Sequence, residues 1–153
     1  MKYHYTDSGL DNVVLESGYR EVNTEYGSGV SIDNLDALHL AIGKWLLNFP
    51  KLLNGAEFRF LRHEMDLSQA RLAYLLGEKE QNIGRWERAR DRPVNPSADK
   101  VIRVLYSEFI GGNQTLRELI EKLAERDERQ AEELRLRPTA RGGWALTEHK
   151  RAA

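Results

Sequence analysis

Near residue 34 the spacing of apolar residues changes from two to between three and four, and the change separates two kinds of structure. Before it, Tyr3 and Tyr5 alternate with polar neighbours from Lys2 to Thr6, and the stretches Asn12 to Leu15, Tyr19 to Val22 and Gly29 to Ile32 read as further short strands. Glycines at 9, 18, 27 and 29 punctuate them, so a small antiparallel sheet is expected. Asp33 and Asn34 then supply helix-cap chemistry, and Leu35, Leu38, Ala41, Ile42, Trp45 and Leu46 share one stripe that ends near Pro50. That helix is expected to pack across the sheet with Trp45 in the core.

Gly55 precedes another helix, in which Phe58, Leu61 and Met65 fall at spacings of three and four. From Ser68 to Glu87 the pattern becomes two short helices joined by a tight turn. Ala70, Leu72, Ala73, Leu75 and Leu76 form a stripe that stops at Gly77, where a positive-φ turn favours glycine. In the second helix Ile83 and Trp86 point inward, and Gln81, Asn82, Arg85 and Arg88 fall towards solvent. Ala73 is small where two steeply crossing helices would touch. Pro93 and Pro96 lie in a loop, Ser97 or Asp99 caps the next helix, and Val101, Ile102, Leu105 and Phe109 are its expected buried face, ending at Gly111 and Gly112. A charged helix is expected from Thr115 to Arg137, with Leu116, Leu119, Ile120, Leu123 and Leu134 as a broken apolar stripe, stopped by Pro138. The tail after it is expected to be flexible. The fold class is therefore α+β: a small N-terminal α+β region at 1–54, an all-α domain at 55–112, and a charged helix with a flexible tail at 113–153.

Charge sharpens this division. The net charge of 153 residues is −1, which excludes a general phosphate-coating surface and leaves localised patches. Residues 1–54 carry four Lys and Arg against seven Asp and Glu, whereas residues 55–106 carry ten against eight, so the basic segment is the one holding the helix pair. With no cysteine there are no disulfides or thiolate metal sites. No N-terminal run has the order of a signal peptide, and no apolar run approaches a membrane span, so a cytoplasmic protein without membrane contact is expected.

The segment from about Glu57 to Tyr106 resembles the Cro/repressor-like, or Xre, helix-turn-helix family. Ser68, Gln69, Leu72, Ala73, Leu76, Gly77, Ile83, Arg85, Trp86 and Glu87 carry the likeness. The order of a β-rich region, a GAEFRFLR entry at 55–62 and the helix pair is also similar to MqsA-type antitoxin regulators, whose zinc is not carried over because its cysteines are missing here. The resemblance implies a lambda-repressor-like domain that puts its second helix in the major groove of double-stranded DNA, and a homodimer on an inverted repeat. It places Glu80, Gln81, Asn82 and Arg85 at base edges; Gln bonds adenine and Arg bonds guanine in bidentate fashion. Ser68 and Gln69, at a helix start, and Lys79, Arg88, Arg90 and Arg92 are the expected phosphate contacts, with Arg62 a lesser one. Two departures from the family pattern stand out. Gly77 is followed by Glu78, Lys79 and Glu80 where the second helix normally begins with a Ser or Thr cap, and Ala89 stands near the place of the usual glycine after the Trp-Glu pair. The dimer contact falls to the helix at Lys100 to Phe109 or to the one at Leu116 to Leu134.

Other chemistry is thinly supplied. His4, His39, His63 and His149 have no ligand spacing, so no metal and no cofactor are expected. Asp7, Asp11 and Glu16 lie near nothing that would orient a nucleophile, so no enzyme is expected. The reading is a DNA-binding transcriptional regulator, a repressor. The alternative is an antitoxin whose acidic N-terminal region binds a partner toxin while its DNA binding autoregulates the operon.

Overall fold

A computed structural model describes residues 2–111, 117, 118, 121, 132–142 and 144–151. The chain is α+β. Its first strands are β1 (Tyr3–His4) and β2 (Val14–Leu15), paired antiparallel around a 3₁₀ turn at Thr6–Ser8. A separate hairpin follows, β3 (Tyr19–Thr24) against β4 (Gly27–Ile32), with Tyr19 opposite Ile32 and Thr24 opposite Gly27. The N-terminal strands thus form two ribbons and not one sheet. Most of the β3–β4 ribbon is exposed, Tyr26 at 94%.

Helix α1 (Leu35–Leu47) starts where the sequence places it, with the Asn34 side chain accepting from Ala37 N. It packs chiefly on the helices that follow, α2 (Gly55–Glu64) and α5 (Pro96–Gly111), and buries Ile42, Gly43 and Leu46. Trp45 lies on the other side and is 50% exposed, its ring tilted against Phe49 with centroids 4.9 Å apart. The core expected around Trp45 is therefore corrected: α1 turns its Ile42–Leu46 edge inward because its partners are helices, whose groove is narrower than a sheet face. At Gly43 a Cβ would collide with the Tyr106 ring, so this glycine sets how closely α1 and α5 approach.

The helical half is one core. Between α2 and α5 lie α3 (Gln69–Leu76) and α4 (Glu80–Arg88), and Phe58, Leu61, Leu72, Ile83, Ile102 and Leu105 are fully buried among the five helices. Helix α2 begins with a capping box, in which Asn54 Oδ1 accepts from Glu57 N at 2.8 Å and Glu57 Oε1 accepts from Asn54 N at 2.9 Å. Helix α5 is capped by Asn95, whose Oδ1 accepts from Ser97 N at 2.9 Å, and Pro96 takes the first helical position. The expected caps Ser97 and Asp99 are corrected accordingly. Asp99 is buried and accepts from Leu53 N at 2.7 Å. Phe109, expected to be buried, is 47% exposed; Tyr106 fills the place opposite Gly43.

Beyond α5 the structure departs further from expectation. Thr115, Leu116, Leu119, Ile120 and Leu123 lie outside the described residues, whereas Arg117, Glu118 and Glu121 are helical. The helix expected to run to Arg137 does not: β5 (Glu132–Pro138) pairs antiparallel with β6 (Trp144–Arg151), which takes up most of the tail expected to be flexible. The physical reason is a change of period. Leu134 and Leu136 are two apart and Pro138 ends the run, the alternation of a strand. Gly142, at φ 84°, supplies the turn, with its N–H donating to Thr139 O at 3.2 Å.

Candidate nucleic-acid interface

The helix pair is built by its ends. Ser68 Oγ accepts from Arg71 N at 3.0 Å, closing the first turn of α3. At the other end Gly77 adopts φ 69°, and the Glu78 and Gly77 N–H groups return to Ala73 O and Tyr74 O, a Schellman turn. Residues 77–79 are thereby all that separates α3 from α4. Helix α4 has no side-chain cap: Lys79 at its cap position makes no such bond. Ile83, fully buried, and Ala73, 3% exposed, lie where α3 and α4 meet. Ala70, placed on the inward stripe from the sequence, is exposed.

On the outer side of α4, Glu80, Gln81 and Arg85 are exposed. Gln81 and Arg85 have no side-chain partner among the described residues, so their donors are free to meet a ligand. Asn82 is half-buried and donates to Glu78 Oε2 at 2.8 Å, which turns its amide to the inter-helix turn. Lys79 and Arg92 are exposed without partners among the described residues. Arg88 is exposed, and its guanidinium lies over Gly84: a Cβ there would meet Arg88 Nη1 at 3.1 Å and Gln69 Oε1 at 3.6 Å. The small residue at 84 thus leaves room for Arg88 and Gln69 to lie against α4 at that point.

Three expected phosphate contacts are otherwise engaged. Arg62 is 7% exposed and forms a bidentate pair with Glu87, both bonds 2.7 Å, while its Nη1 donates to Leu67 O at 2.9 Å. It is an internal strut between α2 and α4, which removes it from the phosphate set. Gln69 donates to the same carboxylate at 3.1 Å, so its amide N–H faces inward. Arg90 donates to Gly9 O at 2.8 Å and lies 3.3 Å from Asp11 Oδ1, fastening the N-terminal segment. Glu87, 5% exposed, is neutralised from inside and adds little repulsion to the outer face of α4. A sequence signal for the strut existed. Arg62 follows Phe58 by four and Glu87 follows Ile83 by four, so both sit on inward stripes, where an ionised group needs a partner.

Side chains that the sequence did not single out hold the N-terminal region to this module. Arg103 bonds the α1 end through Nη1, which donates to Leu46 O at 3.1 Å and Phe49 O at 2.7 Å. Its Nη2 donates to Lys51 O at 2.6 Å and to Asp99 Oδ1 at 3.0 Å. A cation at a helix C-terminus satisfies both its orphan carbonyls and its dipole. On the opposite side Tyr5 Oη and Glu64 Oε1 flank His39, at 2.8 Å from Nε2 and 2.7 Å from Nδ1. Burial, then nearby Asp7, raises the Tyr5 pKa, and burial, then Arg62 and Arg59, lowers that of His63. A cleft of about 300 Å³ opens beside this group.

Among the described residues no group of three or more His, Asp or Glu is placed to hold a metal ion, and no helix is long and apolar enough to cross a membrane. The chain matches no protein-family model, and neither the curated proteins nor the solved structures contain a match to it.

Proposed function

We propose that the chain is a sequence-specific DNA-binding transcriptional regulator, a repressor of the Cro/repressor-like kind, that uses α3 and α4 as a helix-turn-helix. The observation that carries this reading is the outer face of α4, where Gln81 and Arg85 stand exposed and unpaired above a fully buried Ile83. Side chains able to bond base edges are thus presented from a rigid helix, with Lys79, Arg88 and Arg92 exposed around them for phosphates. A single module covers too little DNA for tight binding, so a homodimer on an inverted repeat is the working form. Val104 and Phe109, exposed on α5, favour that helix as the dimer contact.

Genomic-fragment selection with the purified protein at about 150 mM salt tests the proposal. An inverted repeat should be enriched, and Gln81→Ala and Arg85→Ala should lose it while remaining folded. Lys79→Ala should weaken all DNA alike and lower the salt slope by about one unit. No enrichment by the folded protein rejects the reading.

The β3–β4 ribbon favours a second reading. Tyr26 stands exposed in its turn, and Val22 and Val30 are exposed on its two opposite faces, so the ribbon offers apolar side chains to a protein partner that grips it, as in an antitoxin that autoregulates its operon. Co-expression with the product of the neighbouring gene tests this: relief of growth arrest that is lost on Tyr26→Ser supports it, and unrelieved arrest rejects it.

A further inference from the structure

The cleft at His39 is bounded by four parts of the chain that are apart in sequence: the Asp7–Gly9 segment, His39 of α1, helix α2, and Arg90 just after α4. Its volume of about 300 Å³ equals that of roughly ten waters, the lower end of the range for small-molecule sites. Two guanidinium groups line it. Arg59 has a side chain 53% exposed, and its one ion-pair contact among the described residues is a marginal 4.0 Å to Glu87, an acid already held by Arg62. Most of the Arg59 donors are therefore free. Arg90 uses Nη2 on Gly9 and Asp11, which fixes the group without exhausting its fork.

The acids in the lining do not cancel these donors equally. Glu64 is bonded to His39 at 2.7 Å. Asp7 makes no side-chain bond among the described residues and is the acid that an incoming anion would meet. His63 also lines the cleft and, with its pKa lowered by burial and two arginines, is neutral at pH 7, able to donate one hydrogen bond without attracting a competing acid.

We propose that this cleft binds a small organic oxyanion, a carboxylate or a phosphate monoester, across Arg59 and Arg90. Arginine forks match the planar pair of oxygens in a carboxylate and two oxygens of a phosphate, and the volume limits the ligand to a small metabolite. The site stands on the cleft itself, whether or not α4 reads DNA.

Titration calorimetry on the full chain at constant ionic strength tests the proposal, with succinate as the carboxylate probe and glycerol 3-phosphate as the phosphate probe. Saturable binding of either supports the site, and the tighter of the two names the source. Arg59→Gln changes a half-exposed side chain outside the core, so it should leave thermal unfolding unchanged and weaken the bound probe by roughly tenfold or more. Asp7→Asn should tighten it, an outcome that a merely structural role for Asp7 would not produce. Absence of binding by both probes at millimolar concentration overturns the proposal, as does binding that Arg59→Gln and Asp7→Asn leave untouched.

Discussion

The α2–α5 module and the N-terminal region are held by different forces. Inside the module, large apolar side chains are fully buried, and the ion pair with both partners buried, Arg62 with Glu87, joins two of its own helices. At the seam with the N-terminal region, Ile42 and Leu46 supply apolar contact, but Arg103 and Arg90 reach out of the module to backbone carbonyls, and His39 is shared between Tyr5 and Glu64. Apolar burial is nondirectional and scales with area, whereas these bonds depend on a few donors at fixed distances. The module is thus expected to persist through changes that release the N-terminal region, and the seam is where a ligand or a single substitution has leverage.

The largest effect should come from inside the module. Glu87→Ala leaves the Arg62 guanidinium buried and unpaired and should cost about 3–5 kcal/mol in urea unfolding. The double change Arg62→Met with Glu87→Leu should cost clearly less, because it removes both charges. A double variant as damaged as Glu87→Ala would mean that the pair does more than avoid an orphan charge. Next comes the seam at its closest point: Gly43→Ala should lose roughly 1–3 kcal/mol by overpacking against Tyr106, and the loss should be smaller in a Tyr106→Leu background, which removes the nearest ring atoms as well as the hydroxyl. An equal loss in that background would mean that Tyr106 is not the obstacle.

Arg103→Ala should cost a similar amount, about 1–3 kcal/mol, through carbonyls at the end of α1 left without a donor and Asp99 left without its cation. Its signature is local. Amide exchange should rise in α1 while the amides of α2 and α4 keep their protection, and uniform loss across both regions would contradict the comparison. The smallest effect belongs to the outer face of α4, where Gln81→Ala and Arg85→Ala should shift stability by less than about 0.5 kcal/mol. On DNA the same two changes should remove roughly 1–3 kcal/mol of base discrimination each, measured by competition against altered half-sites.

Local signals carried much of the fold. Asn34, Ser68 and Gly77 sit at helix ends for reasons that act within four residues, so caps and turns were legible before any packing was known. The Phe58, Leu72 and Ile83 stripes were legible too, because a helix repeats its inward face at a fixed spacing. Among the readings that failed, two had an ambiguous local signal. Trp45 lies at the border of its stripe, and only the identity of the neighbour decides whether that border is covered. Leu134 and Leu136 fit a strand or the margin of a helix, and pairing with β6 settled the matter.

The candidate interface divides in the same way. The sequence by itself determined a short helix pair, the polar residues on the outer side of its second helix, and the excess of basic residues in that segment, since composition and period require nothing from distant parts of the chain. Only the tertiary structure decided which arginine is free. Arg85 points to solvent, Arg62 donates to both oxygens of Glu87, Arg90 holds the N-terminal segment, and Arg103 ends α1, all four with the same chemistry; helical period separates Arg62 from Arg85, but nothing local names the partners of Arg90 and Arg103. A guanidinium takes its role from whichever acceptors folding brings within about 3 Å, and those acceptors are up to 81 residues away in the chain.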